Sequence, residues 1–188
     1  MSGHGGDMAR RVQISVVGYN SDSCTKAAYD AAYRVGREVA RMGGVVVCGG
    51  LGGVMEAACK GAREAGGVSL GIVPSGDPGQ ANDYCDFVVA TDLGHSRNFL
   101  VAHSADAVVV VGGGAGTLIE AAAAYQDGKA VVTVKGTGGV ADEYAGRFLD
   151  GRKKRKVLGS STPEEAVEKA MRLAKRKLKL HAPIREER

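Results

Sequence analysis

Tryptophan is absent from the 188-residue chain, and aromatic residues make up only 5% of it. That scarcity, with no recognisable nucleic-acid module, argues against a stacking platform for single-stranded nucleic acid. No run of eighteen or more consecutive apolar residues occurs, so no membrane-spanning helix is expected. The start, MSGHGGDMARR, lacks the apolar core of a signal peptide. Residues 1–11 therefore read as a disordered leader and the protein as cytoplasmic. The four cysteines (Cys24, Cys48, Cys59, Cys85) show no CxxC spacing, and the four histidines show no HExxH or paired spacing. This argues against a zinc or disulfide framework, and no metal site is expected; the cysteines read as small core residues in a reducing compartment. The turn after the first apolar run is GYNSDS, which is not the GxGxxG of a dinucleotide fold. The absence of GxxxxGK[ST] excludes a P-loop nucleotidase.

Glycine is abundant, and its placement is informative. Residues 107–120, AVVVVGGGAGTLIE, open with a fully buried strand. Gly112, Gly113, Gly114 and Gly116 follow, and Thr117 is expected to open a helix. A buried strand feeding a glycine turn into a helix makes an anion site, because unpaired N–H groups and positive partial charge converge there. Glu120 lies about one turn into that helix, placed either to act beside a bound phosphate or to complement the helix dipole. VVVCGG (45–50) leads into LGGVMEAA in the same manner, placing Gly49, Gly50, Gly52 and Gly53 at a second bend. Glu56, early in that helix, is accounted for by the dipole. Two such loops in one small domain suggest that both border one anionic ligand.

Further apolar runs at 12–18, 68–74, 86–91, 130–136 and 157–161 read as strands. One-face patterns predict helices near 24–42 and from Pro163 onward, with Thr162 as the last helix's cap, and further helices are expected near 97–104, 117–128 and 140–149. The alternation predicts one α/β domain over 12–181, a doubly wound, mostly parallel Rossmann-like sheet with helices on both faces, and a frayed tail at 182–188. Ser21 and Ser23 follow the first strand, where they either contact phosphate or cap the next helix. Ser96 is a candidate cap for the helix that carries Arg97. Arg97 is the only Lys or Arg between Arg63 and Lys129. It either forks onto a phosphate or pairs with Asp92 or Asp106. The alanine-dense helix after the central motif suits a close subunit contact or tight packing on its own sheet.

Charge is uneven. Residues 151–188 hold 13 Lys/Arg against 5 Asp/Glu, while the whole chain carries +4. The body is mildly acidic, and the tail, including the basic run at 152–156, reads as a solvated basic helix rather than a nucleic-acid contact.

With these residues placed, the chain resembles the LOG-like (SLOG) superfamily. That group includes the LONELY GUY phosphoribohydrolases, proteins labelled possible lysine decarboxylases, and molybdenum cofactor carrier proteins. The resemblance spans roughly residues 12–136 and rests on GGGAGTLIE (112–120), HSRN (95–98) and GGLGGVMEAA (49–58). It implies phosphate-binding positions at Gly113, Gly114, Gly116 and Thr117, a catalytic Glu120, a catalytic Arg97, and a homodimer. Gly112 stands where the family's motif has proline, and Asn98 where the phosphoribohydrolases have lysine. Both departures bring the chain nearer the cofactor-carrier branch. No lysine lies in the glycine loops or in the Arg97 segment, so pyridoxal-phosphate decarboxylation is disfavoured.

Two readings follow. In the first, the chain hydrolyses the N-glycosidic bond of a nucleoside 5′-monophosphate, releasing base and ribose 5-phosphate, with no cofactor required. In the second, the same loops carry a phosphorylated pterin such as molybdopterin, or sense a nucleotide, without chemistry.

Overall fold

A computed structural model describes residues 10–181, with side chains through residue 178. The segments 1–9 and 182–188, which hold most of the expected leader and the expected tail, lie outside the described residues. Arg10, at the edge of the expected leader, forks onto Asp106 at 2.8 and 2.6 Å.

Among the described residues, seven strands form one sheet: β1 (Gln13–Gly18), β2 (Val45–Cys48), β3 (Val68–Val73), β4 (Phe87–Ala90), β5 (Ala107–Val111), β6 (Ala130–Val134) and β7 (Leu158–Ser160). They lie in the order β4-β3-β2-β1-β5-β6-β7, and every pairing is parallel. A parallel sheet is covered on both faces, so its central strands are apolar throughout rather than alternating. All five residues of β5 are buried.

Among the described residues, six α-helices cover it: α1 (Lys26–Arg41), α2 (Val54–Glu64), α3 (Arg97–His103), α4 (Ala115–Gln126), α5 (Gly139–Tyr144) and α6 (Pro163–His181). One core layer gathers α1, α2 and α6, with Ala28, Val35, Val54, Ala58, Val167 and Met171 against Ile14, Val16 and Val109. The other gathers α3, α4 and α5, with Val101, Ala121, Ala124 and Val140 against Val17, Val108 and Val110. Helices on one face connect β1, β2 and β3, and helices on the other connect β4 to β7. The winding therefore reverses between β1 and β5, the place where open α/β sheets hold ligands. The register Gly18↔Val111 brings the two loops level there.

Local signals explain most boundaries, with some corrections. Neither Ser21 nor Ser23 caps α1; the Thr25 side chain does, accepting from the Ala28 N–H at 3.1 Å. Ser96 precedes α3 but makes no side-chain cap bond. Helix α4 starts at Ala115, two residues before Thr117, because Gly114 already makes the bend. The Thr117 hydroxyl donates instead to the Gly18 carbonyl at 3.1 Å. Helix α5 stops at Tyr144, short of the expected 149, where the chain turns through Gly146 at φ 77°. At α6 the Thr162 hydroxyl accepts from the Glu165 N–H, and the Glu165 carboxylate accepts from the Ser161 N–H. Its apolar stripe packs into the core, while Arg172, Lys175 and Arg176 face solvent.

Candidate functional site

The ends of β1, β2 and β5 border a cavity of about 480 Å³. Val16 and Val17 form its apolar floor, and Gly18, Tyr19 and Asn20 continue from β1. Gly49, Leu51 and Met55 come from the second glycine turn and the start of α2. Gly114 comes from the bend before α4, Gly116 and Thr117 from its first turn, and Glu120 from just beyond that turn. His95, Arg97 and Asn98 come from the start of α3, with Pro74 and Gly94 beside them.

The turn after β5 is shaped from behind. Gly112 and Gly113 have φ of 62° and 101°, the left-handed region that side-chain-bearing residues avoid. The Thr137 hydroxyl accepts from the Gly112 N–H at 2.8 Å. The Gly112 and Gly113 carbonyls accept from Ala141 and Val140, at the start of α5. This bracing aims the start of α4 at the cavity, where the N–H groups of its first turn have no intrahelical partner. A Cβ on Gly114 would meet open space.

Arg97 and Glu120 face each other across the cavity wall. Arg97 Nη1 donates to Glu120 Oε1 at 3.3 Å and to Asn98 Oδ1 at 2.7 Å. The residues are 7% and 6% exposed. Burial pushes the Glu120 carboxyl up, to about 7, and the Arg97 charge offsets only part of that rise. The Arg97 Nε is buried with no hydrogen-bond partner among the described residues. Gly49 is the platform under the guanidinium: a Cβ there would sit 2.5 Å from Arg97 Nη2 and 2.7 Å from both Nη1 and Met55 Sδ.

Of the residues singled out in the sequence, Arg97, Glu120, Gly49, Gly114, Gly116 and Thr117 line the cavity together. Gly113, Gly50, Gly52, Gly53 and Ser21 are not among its lining residues. Gly50 packs on Val73, Gly52 on the Ser21 hydroxyl, and Gly53 on the Tyr19 and Asn20 backbone. Ser23 lines the cavity where Ser21 does not. The two partners offered for Arg97 are engaged otherwise or apart from it: Asp106 holds Arg10, and Arg97 turns to Glu120 and Asn98. Tyr19, Asn20 and His95 were missed as site residues. Their signal was position alone, on the loops that leave β1 and enter α3. Three of the four cysteines, far apart in the chain, also converge: the sulfurs of Cys48, Cys59 and Cys85 lie within 4.8 Å of one another.

The profile of the SLOG cluster4 family matches residues 11–167. The chain belongs to the SLOG cluster4 family. Among other proteins similar to this SLOG cluster4 chain, an uncharacterized protein from Archaeoglobus fulgidus is 47% identical over 118 residues, 63% of this chain and 76% of that protein. The molybdenum cofactor binding protein from Rippkaea orientalis is 32% identical, with a TM-score of 0.75 over 85% of this chain and 94% of that one. The Moco carrier protein from Chlamydomonas reinhardtii is 31% identical, with a TM-score of 0.76 over 90% of this chain and all of that one (100%). Among the described residues of this SLOG cluster4 chain, no helix is long and apolar enough to cross a membrane.

Proposed function

We propose that the chain binds and carries a phosphorylated pterin of the molybdenum cofactor type. The observation that carries this reading is the cavity itself, in a chain whose fold spans the full length of a Moco carrier protein. The start of α4 supplies N–H donors and positive partial charge for the phosphate, and Arg97 supplies a charged fork beside it. Tyr19, Leu51, Met55 and the valine floor offer an apolar bed for a flat ring system. Glu120 is held by Arg97, so its carboxylate orients the guanidinium and sets the charge of the cavity. Equilibrium dialysis against the molybdenum cofactor tests this, with molybdenum and pterin both counted. One equivalent retained per chain, and weakened at least about tenfold by Arg97→Ala, is the expected result.

A second reading is hydrolysis of nucleoside 5′-monophosphates. Glu120 favours it, being a carboxyl in the cavity wall held near neutrality, a condition suited to proton transfer. In that case wild-type chain releases free base, and Glu120→Gln stops the release while leaving nucleotide binding intact.

The same reading extends to assembly. Phe99, Leu100 and Ile119 lie exposed on α3 and α4, with Phe87 and Val89 on the edge strand β4. We propose that a second copy covers this apolar face. Light scattering on the intact chain then gives twice the chain mass, and charged substitutions at Phe99 and Ile119 reduce it to one.

A further inference from the structure

The cysteine cluster belongs neither to the cavity wall nor to the carrier reading. Cys48 ends β2, Cys59 lies in the middle of α2, and Cys85 sits in the loop that enters β4. Cys48 and Cys59 sulfurs are 3.4 Å apart, and Cys59 and Cys85 sulfurs 3.7 Å. Cys48 and Cys59 are fully buried, and Cys85 is half-buried, which leaves one side for entry.

Surrounding groups hold the three sulfurs in place. The Gly50 N–H donates to Cys48 Sγ at 3.3 Å, as backbone amides do toward electron-rich sulfur. The Asn82 side-chain amide donates to the Gly50 and Leu51 carbonyls at 3.1 and 2.9 Å, tying the Cys85 loop to the turn after Cys48. Arg63 donates to the Asp83 carbonyl at 2.7 Å from the other side. Gly71 on β3 leaves the space that the Cys85 sulfur uses; a Cβ there would lie 2.7 Å from it. As bare thiols, three weak donors facing one another gain little. As thiolates around one ion, with metal–sulfur bonds of about 2.3 Å, their sulfurs would stand roughly 3.8–4.0 Å apart, within a small adjustment of what is found.

We propose that Cys48, Cys59 and Cys85 bind one thiophilic d10 metal ion, Zn²⁺ or Cu⁺, through three thiolates. Soft sulfur ligands select these ions. Arg63 stands at the rim of the resulting anionic site, donating to the Cys85 carbonyl at 3.4 Å and lying 3.8 Å from Asp86. The bound ion would brace the turn after β2, whose Gly49 supports Arg97.

The test uses the full chain, reduced and stripped of metal, titrated with Zn²⁺ and, without oxygen, with Cu⁺, each against a chromophoric chelator. Co²⁺ serves as a spectroscopic stand-in for Zn²⁺. The expected result is one equivalent per chain, with a sulfur-to-cobalt charge-transfer band of three-thiolate intensity. Cys85→Ser weakens binding by at least about 100-fold, and Cys24→Ser leaves it unchanged. Because buried cysteine variants can fail to fold, alkylation of the unmodified chain gives an independent readout: metal protects Cys85 and leaves Cys24 reactive. Retention of zinc alone, copper alone or either identifies the ion and supports the site. No retention of either ion, a Cys48–Cys59 disulfide in place of binding, or protection that extends equally to Cys24 overturns it.

Discussion

Glu120→Gln is the substitution whose consequences the geometry specifies most fully. The Glu120 carboxyl titrates at about 7, against 4.5 for an ordinary glutamate, because burial outweighs the nearby Arg97 charge. A folded-state pKa above the unfolded one means that the folded chain holds the proton longer. The stabilisation is therefore present in full below pH 4.5 and is lost as pH rises through 7. At about 1.36 kcal/mol per unit, the loss between pH 5 and pH 8 is about 2.5 kcal/mol. The amide of the Glu120→Gln variant cannot titrate, so that chain escapes the loss. Urea unfolding of both proteins at pH 5 and pH 8 isolates the effect, since every other titrating group is shared. The stability of the variant relative to wild type should rise by about 2.5 kcal/mol from pH 5 to pH 8. A constant difference would show that Glu120 titrates normally in the fold. A difference of opposite sign would show that the Arg97 ion pair outweighs burial.

Three other perturbations separate the parts of the site. Arg97→Ala leaves Glu120 buried without its counter-charge, so it should destabilise by about 3 kcal/mol at pH 8 and by less at pH 5, where Glu120 holds a proton; urea midpoints at the two pH values show this. Gly49→Ala forces a methyl against the guanidinium and Met55, and should lower phosphate-ligand affinity about tenfold while far-ultraviolet circular dichroism stays unchanged. Gly36→Ala drives a methyl into the Ala58 carbonyl where α1 crosses α2, at residues that do not line the cavity. It should cost about 1–3 kcal/mol of stability in thermal melts without changing ligand affinity per folded chain.

The fold was legible because a buried parallel sheet writes itself as apolar runs. Residues 107–111 and 45–48 have few other ways to fold, and the glycines after them mark the loops at the ligand edge. The site was legible in part. Arg97 and Glu120 were each placed at that edge by motif, but their contact depends on α3 packing against α4. Spacing of 23 residues does not reveal it. Glycine content could not tell a cavity-lining residue such as Gly49 from Gly50 and Gly53, since both kinds are demanded by tight turns and only the direction of the backbone separates them. The cysteine cluster was hidden for a similar reason. Cys48 and Cys59 meet because α2 folds back over β2, and Cys85 joins them only when the 74–86 loop is tied down by Asn82. Thr25 took the cap that Ser21 or Ser23 was offered, because the turn GYNSDS extends one step further before α1 begins.

The measurement that bears most directly on the carrier reading is recovery of the ligand after binding. The chain is incubated with the molybdenum cofactor and separately with a panel of nucleoside 5′-monophosphates, and bound and free species are resolved by chromatography. The cofactor should be retained at one equivalent, be recovered chemically unchanged, and bind Arg97→Ala at least about tenfold more weakly. Release of free base from a nucleotide, abolished by Glu120→Gln, together with failure to retain the cofactor, would contradict it and assign the cavity to hydrolysis.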